Sequence, residues 1–144
     1  MSPGRDRGPI SMNATTQLDL TTCPIGPVAA VSDLPRARAF YEGVLGLRPG
    51  TETGGGAVVM YPCGEGTQLV VYSSPQHAGK STATLAGFMV GDVERAVADL
   101  TARGVTFEVY DEPKTDERGI MDAGSFKAAW FRDPDGNTYA INGS

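Results

Sequence analysis

The chain has 144 residues and a formal net charge of −5, with an ordinary apolar fraction and 19 glycines. That length suits one domain with its own core, and no apolar run reaches the roughly 20 residues of a membrane span. The acidity argues against a phosphate-backbone partner, since nucleic-acid-binding chains carry a basic footprint, and favours a neutral or cationic small ligand. Cys23 and Cys63 are too few for a disulfide framework and lack metal-finger spacing, so they read as reduced thiols of a cytoplasmic protein.

Met1–Thr22 is polar, without a hydrophobic period, and reads as a disordered tail. Arg5 and Arg7 are followed by no apolar stretch, so it is not a secretory signal. One domain is expected over 23–144. Val28–Val31 is a short strand. Ser32 or Asp33 caps a helix that tolerates Pro35 in its first turn. Ala37, Phe40, Tyr41, Val44 and Leu45 give that helix one apolar face, and Gly46 ends it. A strand is expected to begin at Leu47-Arg48, followed by a glycine-rich connection over Thr51–Gly56. Ala57–Pro62 and Thr67–Tyr72 form a hairpin.

Ser73–Thr82 is a polar linker that carries the only histidine, His77, a solvated group or a rim residue. Thr84–Val90 is a strand. Asp92 caps a helix whose Val93, Ala96, Val97 and Leu100 face the core, with Gly104 as its stop. A strand is expected over Val105–Tyr110, then a charged loop over Asp111–Gly124; Glu108, Tyr110 and Asp111, near the second module's edge strand, are candidates for acid/base chemistry or charges that guard the edge. The chain closes on a second hairpin, Ala128–Ile141, turned by Asp133-Pro134-Asp135-Gly136, where Pro fits the second turn position and Gly a left-handed φ.

The order β-α-β-β-β therefore occurs twice, about 25–73 and about 83–142. The strand-helix parts repeat at a spacing of 59 residues, Asp33 to Asp92, and the hairpins at 70, Gly66 to Gly136. The extra 11 residues fall in the Asp111–Gly124 loop, where insertion costs little.

With these residues in view, Val31-Ser32-Asp33-Leu34, Ala39-Phe40-Tyr41, Leu45-Gly46-Leu47, Asp92–Leu100, Arg103-Gly104-Val105 and Phe131–Asn137, the sequence resembles the vicinal oxygen chelate superfamily over roughly Ile25 to Ile141. The resemblance implies an α+β fold in which two βαβββ modules form a curved, cup-like mixed sheet with helices on its outer face. It implies a homodimer, with ligand or metal in the cup. Metal-using members take His, Glu or Gln from the first and last strand of each module. Carried over residue by residue, those positions are Gly26, Val70, Leu85 and Ala140, and none can bind a divalent cation. No metal and no cofactor is expected.

Strand parity then lists the cup face: Val28, Ala30, Val58, Met60, Gln68, Val70, Tyr72, Gly87, Met89, Ala128, Trp130, Thr138 and Ala140, with Leu85 at the start of its strand. The opposite parity sends Tyr61, Leu69, Phe131, Tyr139 and Ile141 under the helices. The ligand-binding set expected from this list is Val28, Val58, Met60, Gln68, Val70, Tyr72, Leu85, Met89, Trp130, Thr138 and Ala140. An apolar face with one indole, two thioethers and a few polar tips suits a flat or bulky hydrophobic molecule. The leading expectation is metal-independent binding of a hydrophobic or aromatic compound, extending to antibiotic sequestration as in the bleomycin-resistance branch. The alternatives are a metal-free isomerase, lyase or cyclase and a glyoxalase-like metalloenzyme. No catalytic residue stands out, because no Ser-His-Asp, Cys-His or paired-carboxylate spacing occurs.

Overall fold

The structure is a computed structural model that describes residues 17–144. The expected tail lies outside the described residues as far as 16; beyond it, Leu20–Thr22 makes one exposed 3-10 turn under an Asp19 cap. In the first module, β1 (Val28–Val31) leads into α1 (Leu34–Arg38), and β2 (Thr51–Thr53), β3 (Val58–Pro62) and β4 (Gln68–Ser73) follow. In the second, β5 (Thr84–Val90) leads into α2 (Val93–Ala102), and β6 (Ile120–Asp122), β7 (Lys127–Arg132) and β8 (Thr138–Gly143) follow. Each module is a four-stranded mixed sheet, ordered β1-β4-β3-β2 and β5-β8-β7-β6. The first strand runs parallel to the last and the hairpin is antiparallel.

The repeat holds at atomic detail. Asp33 has φ −142° and ψ 102°, Asp92 φ −143° and ψ 101°. Each carboxylate accepts the N–H three residues on, from Arg36 and from Arg95, at 3.0 Å. These bonds satisfy donors that a helix N-terminus leaves without partners. The sheet registers repeat as well: Val28 pairs Val70 as Gly87 pairs Ala140, and Tyr61 pairs Leu69 as Phe131 pairs Tyr139.

The differences concern the second strand of each module and the first helix. The chain does not extend at Leu47-Arg48. The strand is Thr51–Thr53, inside the expected connection, and the glycines at 54–56 make the turn after it. Val105–Tyr110 forms no full strand: its main chain meets β7 at the Phe107–Phe131 bridge and at the Glu108 N–H on the Trp130 carbonyl. The edge strand is Ile120–Asp122, inside the expected loop. Both edges are three residues long, too short for a periodic signal. Beyond Arg38 the first helix widens into a π-helical stretch, Ala39–Val44, ending at Gly46, whose φ is +81°.

The core lies between the sheets and the helices and mixes both modules. Val59, Tyr61, Leu69, Val71, Ala129, Phe131, Tyr139 and Ile141 are buried on one side of the strands. α2 packs on its own sheet, whereas Phe40 and Tyr41 of the π stretch reach Phe131 and Tyr139 of the other module, with ring centroids 6.3 and 6.0 Å apart.

Candidate functional site

The modules meet at two joints. At the first, the turn of the second hairpin is pinned to the first module. Asp133 Oδ1 accepts the N–H groups of Asp135 and Asn137, and Asp133 Oδ2 accepts Asn137 Nδ2 at 2.8 Å and the Tyr41 hydroxyl at 2.6 Å. The Tyr41 and Tyr139 oxygens are 2.8 Å apart. Tyr41 has one proton and gives it to the carboxylate, so Tyr139 donates to Tyr41. Asn137 Nδ2 also bonds the Ala30 carbonyl, at 2.8 Å. Asp135 accepts the Ser32 N–H at 3.0 Å, the Ser32 hydroxyl at 2.6 Å and Arg36 Nη2 at 3.1 Å. Burial pushes the Tyr41 phenol far up, with the neighbouring Tyr139 and Asp133 adding to it. Burial also raises Tyr139, against the opposing pull of the Tyr41 hydroxyl. Both phenols keep their protons at neutral pH, so neither serves as a general base.

The second joint is open. A cavity of about 750 Å³ lies where the Cys63–Thr67 turn faces Ala86–Met89. Among the described residues Ile25, Gly26, Pro27, Gln68, Leu69, Leu85 and Tyr139 add to its wall, which is mostly apolar, and Glu65 is the one charged side chain there. Of the eleven expected ligand-binding residues, Gln68, Leu85 and Met89 line this cavity. Val28, Val58, Met60, Val70 and Tyr72 share one face of the first sheet, opposite the buried Ala29, Val59, Leu69 and Val71, but do not line it. Trp130, Thr138 and Ala140 share the matching face of the second sheet. There Trp130 meets Tyr110 edge-on at 5.7 Å, and Thr138 and Ala140 are buried. The Thr138 hydroxyl is the one buried side-chain oxygen or nitrogen without a partner among the described residues. His77 lies outside the cavity, its Nδ1 2.9 Å from the Ser74 hydroxyl. Glu108 stands 3.9 Å from Arg132.

The residues present do not fit the metal centre of metal-using relatives. Gly26 and Leu85 reach the cavity, Val70 and Ala140 do not, and none offers a donor. A Cβ on Gly26 would stand 2.7 Å from the Gln68 carbonyl oxygen, so the backbone leaves no room there for a ligating side chain. Among the described residues no group of three or more His, Cys, Asp or Glu could hold an ion, and no helix is long and apolar enough to cross a membrane.

What the residue list missed is the cavity's far wall, Cys63–Thr67 with Ala86 and Phe88. Parity assigns faces within a sheet. It does not say that a hairpin turn of one module faces the first strand of the other. The usable signal was the pair of spacings, which set Cys63–Thr67 opposite Met89 as Asp133–Asn137 is opposite Ala30.

The sequence profile described as Glyoxalase/Bleomycin resistance protein/Dioxygenase superfamily matches residues 24–141. No curated protein matches the chain by sequence. Among solved structures, a glyoxalase/bleomycin resistance protein from Streptomyces sp. CB03234 is 28% identical, with 80% of this chain and 95% of that one covered and a TM-score of 0.58. TnmS3, an antibiotic binding protein from the same organism, is 24% identical, with 85% and 97% covered and a TM-score of 0.61. A lactoylglutathione lyase from Agrobacterium tumefaciens is 18% identical, with 85% and 94% covered and a TM-score of 0.57. The last two are likenesses of fold.

Proposed function

The chain belongs to the Glyoxalase/Bleomycin resistance protein/Dioxygenase superfamily, and from that premise we propose that it binds a hydrophobic or aromatic small molecule without a metal ion. The observation that carries this reading is the coincidence of two features. By the resemblance, the positions that correspond to the cation ligands of metal-using relatives are Gly26, Val70, Leu85 and Ala140, and beside Gly26 and Leu85 opens a cavity of about 750 Å³ with a mainly apolar wall. Ligand sites are commonly concave and apolar with a few polar groups to orient the guest. Leu85, Phe88 and Met89 supply contact area, and the Gln68 amide and the Thr67 hydroxyl supply polar tips. In this reading the expected concave-face residues Val28, Val58, Met60, Val70, Tyr72 and Trp130 extend the surface beyond the cavity, while Thr138 and Ala140 are buried and do not. Val28 is 52% and Met89 75% exposed, and a second copy covering them belongs to the same reading, in a cytoplasmic homodimer.

Sequestration of a toxic aromatic compound is the biological use we propose. TnmS3, an antibiotic binding protein, shares the fold. The test is titration of chelator-treated protein with a panel of planar aromatic compounds, followed by calorimetry and by the fluorescence of Trp130, the only tryptophan. Saturable binding unchanged by added Zn²⁺, Ni²⁺ or Mn²⁺, with each compound recovered intact, is the expected result. Binding that appears only with a divalent ion, or none at all, would overturn the proposal. Conversion of the compound during incubation would assign catalysis in place of sequestration.

A further inference from the structure

Resting on that binding reading, we infer that the open cavity takes an aromatic molecule bearing a cationic, hydrogen-bond-donating arm, and that Glu65 receives the arm. The internal repeat leads there. The fold sets a hairpin turn of one module near the first strand of the other twice, and at one of the two places the helix start joins in as well. At the closed joint three groups of the chain fill the gap. The Tyr41 ring packs edge-on against Tyr139, and the Ser32 hydroxyl and the Arg36 guanidinium both bond Asp135.

At the spacings of 59 and 70 residues, Glu65 corresponds in sequence to Asp135, Gly91 to Ser32 and Leu100 to Tyr41. Of these three, Glu65 alone lines the open cavity, where no hydroxyl of a Ser32 counterpart and no ring of a Tyr41 counterpart meets it. Arg95 occupies the position of Arg36 but forms no ion pair with Glu65, and the Glu65 carboxylate pairs with no described residue. Its backbone has φ 55°, the one non-glycine in the left-handed region among the described residues. The wall opposite offers Phe88, Tyr139 and Met89, surfaces on which a flat ring packs well. A guest that offers a flat ring to that wall and a cationic donor to the Glu65 carboxylate therefore uses both features of the cavity.

Three acridines separate the outcomes: neutral acridine, cationic 9-aminoacridine and anionic acridine-9-carboxylate, titrated at pH 7.5 into the metal-free protein. The arm meets an exposed carboxylate, so 9-aminoacridine should bind about two- to fivefold tighter than acridine, with the preference shrinking as salt is added. The carboxylate should bind weakest. Glu65→Gln should abolish the preference. Met89→Trp, which fills the cavity from an exposed position, should weaken all three. Equal affinities for acridine and 9-aminoacridine, a preference that survives Glu65→Gln, or undiminished binding to Met89→Trp would overturn the inference and leave the binding of aromatic compounds standing. If none of the three binds the wild type, the binding reading falls and this inference falls with it.

Discussion

The two joints between the modules are built from matching pieces and end in opposite states. At one, Asp133, Asp135, Asn137, Tyr41, Ser32 and Arg36 close the gap with side-chain bonds. Gly79 of the linker lies so close that a Cβ on it would strike the Asp135 carbonyl oxygen, and its φ of +64° favours glycine as well. At the other, Cys63, Glu65 and Thr67 stand at the same turn positions and face Met89 across open space. Small changes in side-chain length and polarity thus decide whether a repeated fold makes a rivet or a receptacle. A buried polar network is worth having only when each member is satisfied, and the closed joint meets that condition.

The largest effect is expected from emptying the closed joint. Tyr41→Ala removes a fully buried ring that contacts Phe40, Tyr61 and Tyr139. It should cost about 3–5 kcal/mol by urea denaturation, at an unchanged slope. A cost below about 1 kcal/mol would show that the joint does not hold the modules together.

Alkali should attack the same place. Tyr41 and Tyr139 titrate above their ordinary value of 10.0 in the folded chain, mainly because they are buried. A raised folded pKa gives stability that is complete below the unfolded value and lost as pH climbs toward the folded one. Unfolding free energy should hold up to pH 10 and then fall by up to about 1.4 kcal/mol per pH unit for each phenol. Tyr41→Phe should show a shallower fall. Equal slopes for wild type and variant would mean that Tyr41 ionises freely. At neutral pH the same variant removes one proton from the network and leaves Asp133 with its remaining donors, at about 1–3 kcal/mol.

The sharpest comparison uses the smallest effects. Asp135→Asn should cost about 1 kcal/mol, because it weakens three bonds at the closed joint. Glu65→Gln, at the matching position of the open joint, should stay within about 0.5 kcal/mol of the wild type. Equal losses at both positions would mean that Glu65 already has a partner, and the contrast between the joints would disappear.

Much of this was legible from residue order because it is local. The Asp33 and Asp92 caps, both hairpins, and the faces of Tyr61, Leu69, Phe131 and Tyr139 follow from turn chemistry and period-two alternation. The second strands were misplaced because Thr51–Thr53 and Ile120–Asp122 are held by β3 and β7 and not by any pattern of their own. Val105–Tyr110 has strand-like residues, yet its chain turns away: the Tyr110 N–H bonds the Thr115 hydroxyl and leaves the sheet edge. The π stretch is set by packing, since Ala39–Val44 reads as ordinary helix. The concave faces could be assigned by parity, but the depth between the modules is a tertiary quantity. Tyr41 reads as a core residue and Asp133 as a turn former, and only the fold makes them partners.

The two ladders share no main-chain hydrogen bond among the described residues; what crosses between them is side chains, including Arg103 Nη1 on the Leu45 carbonyl at 3.0 Å. The sheets are held to each other by the closed joint, by the Arg103 bond and by the shared aromatic core of Phe40, Tyr41, Phe131 and Tyr139. Substitutions at those contacts therefore act on the spacing between the sheets without breaking a single hydrogen bond of either ladder.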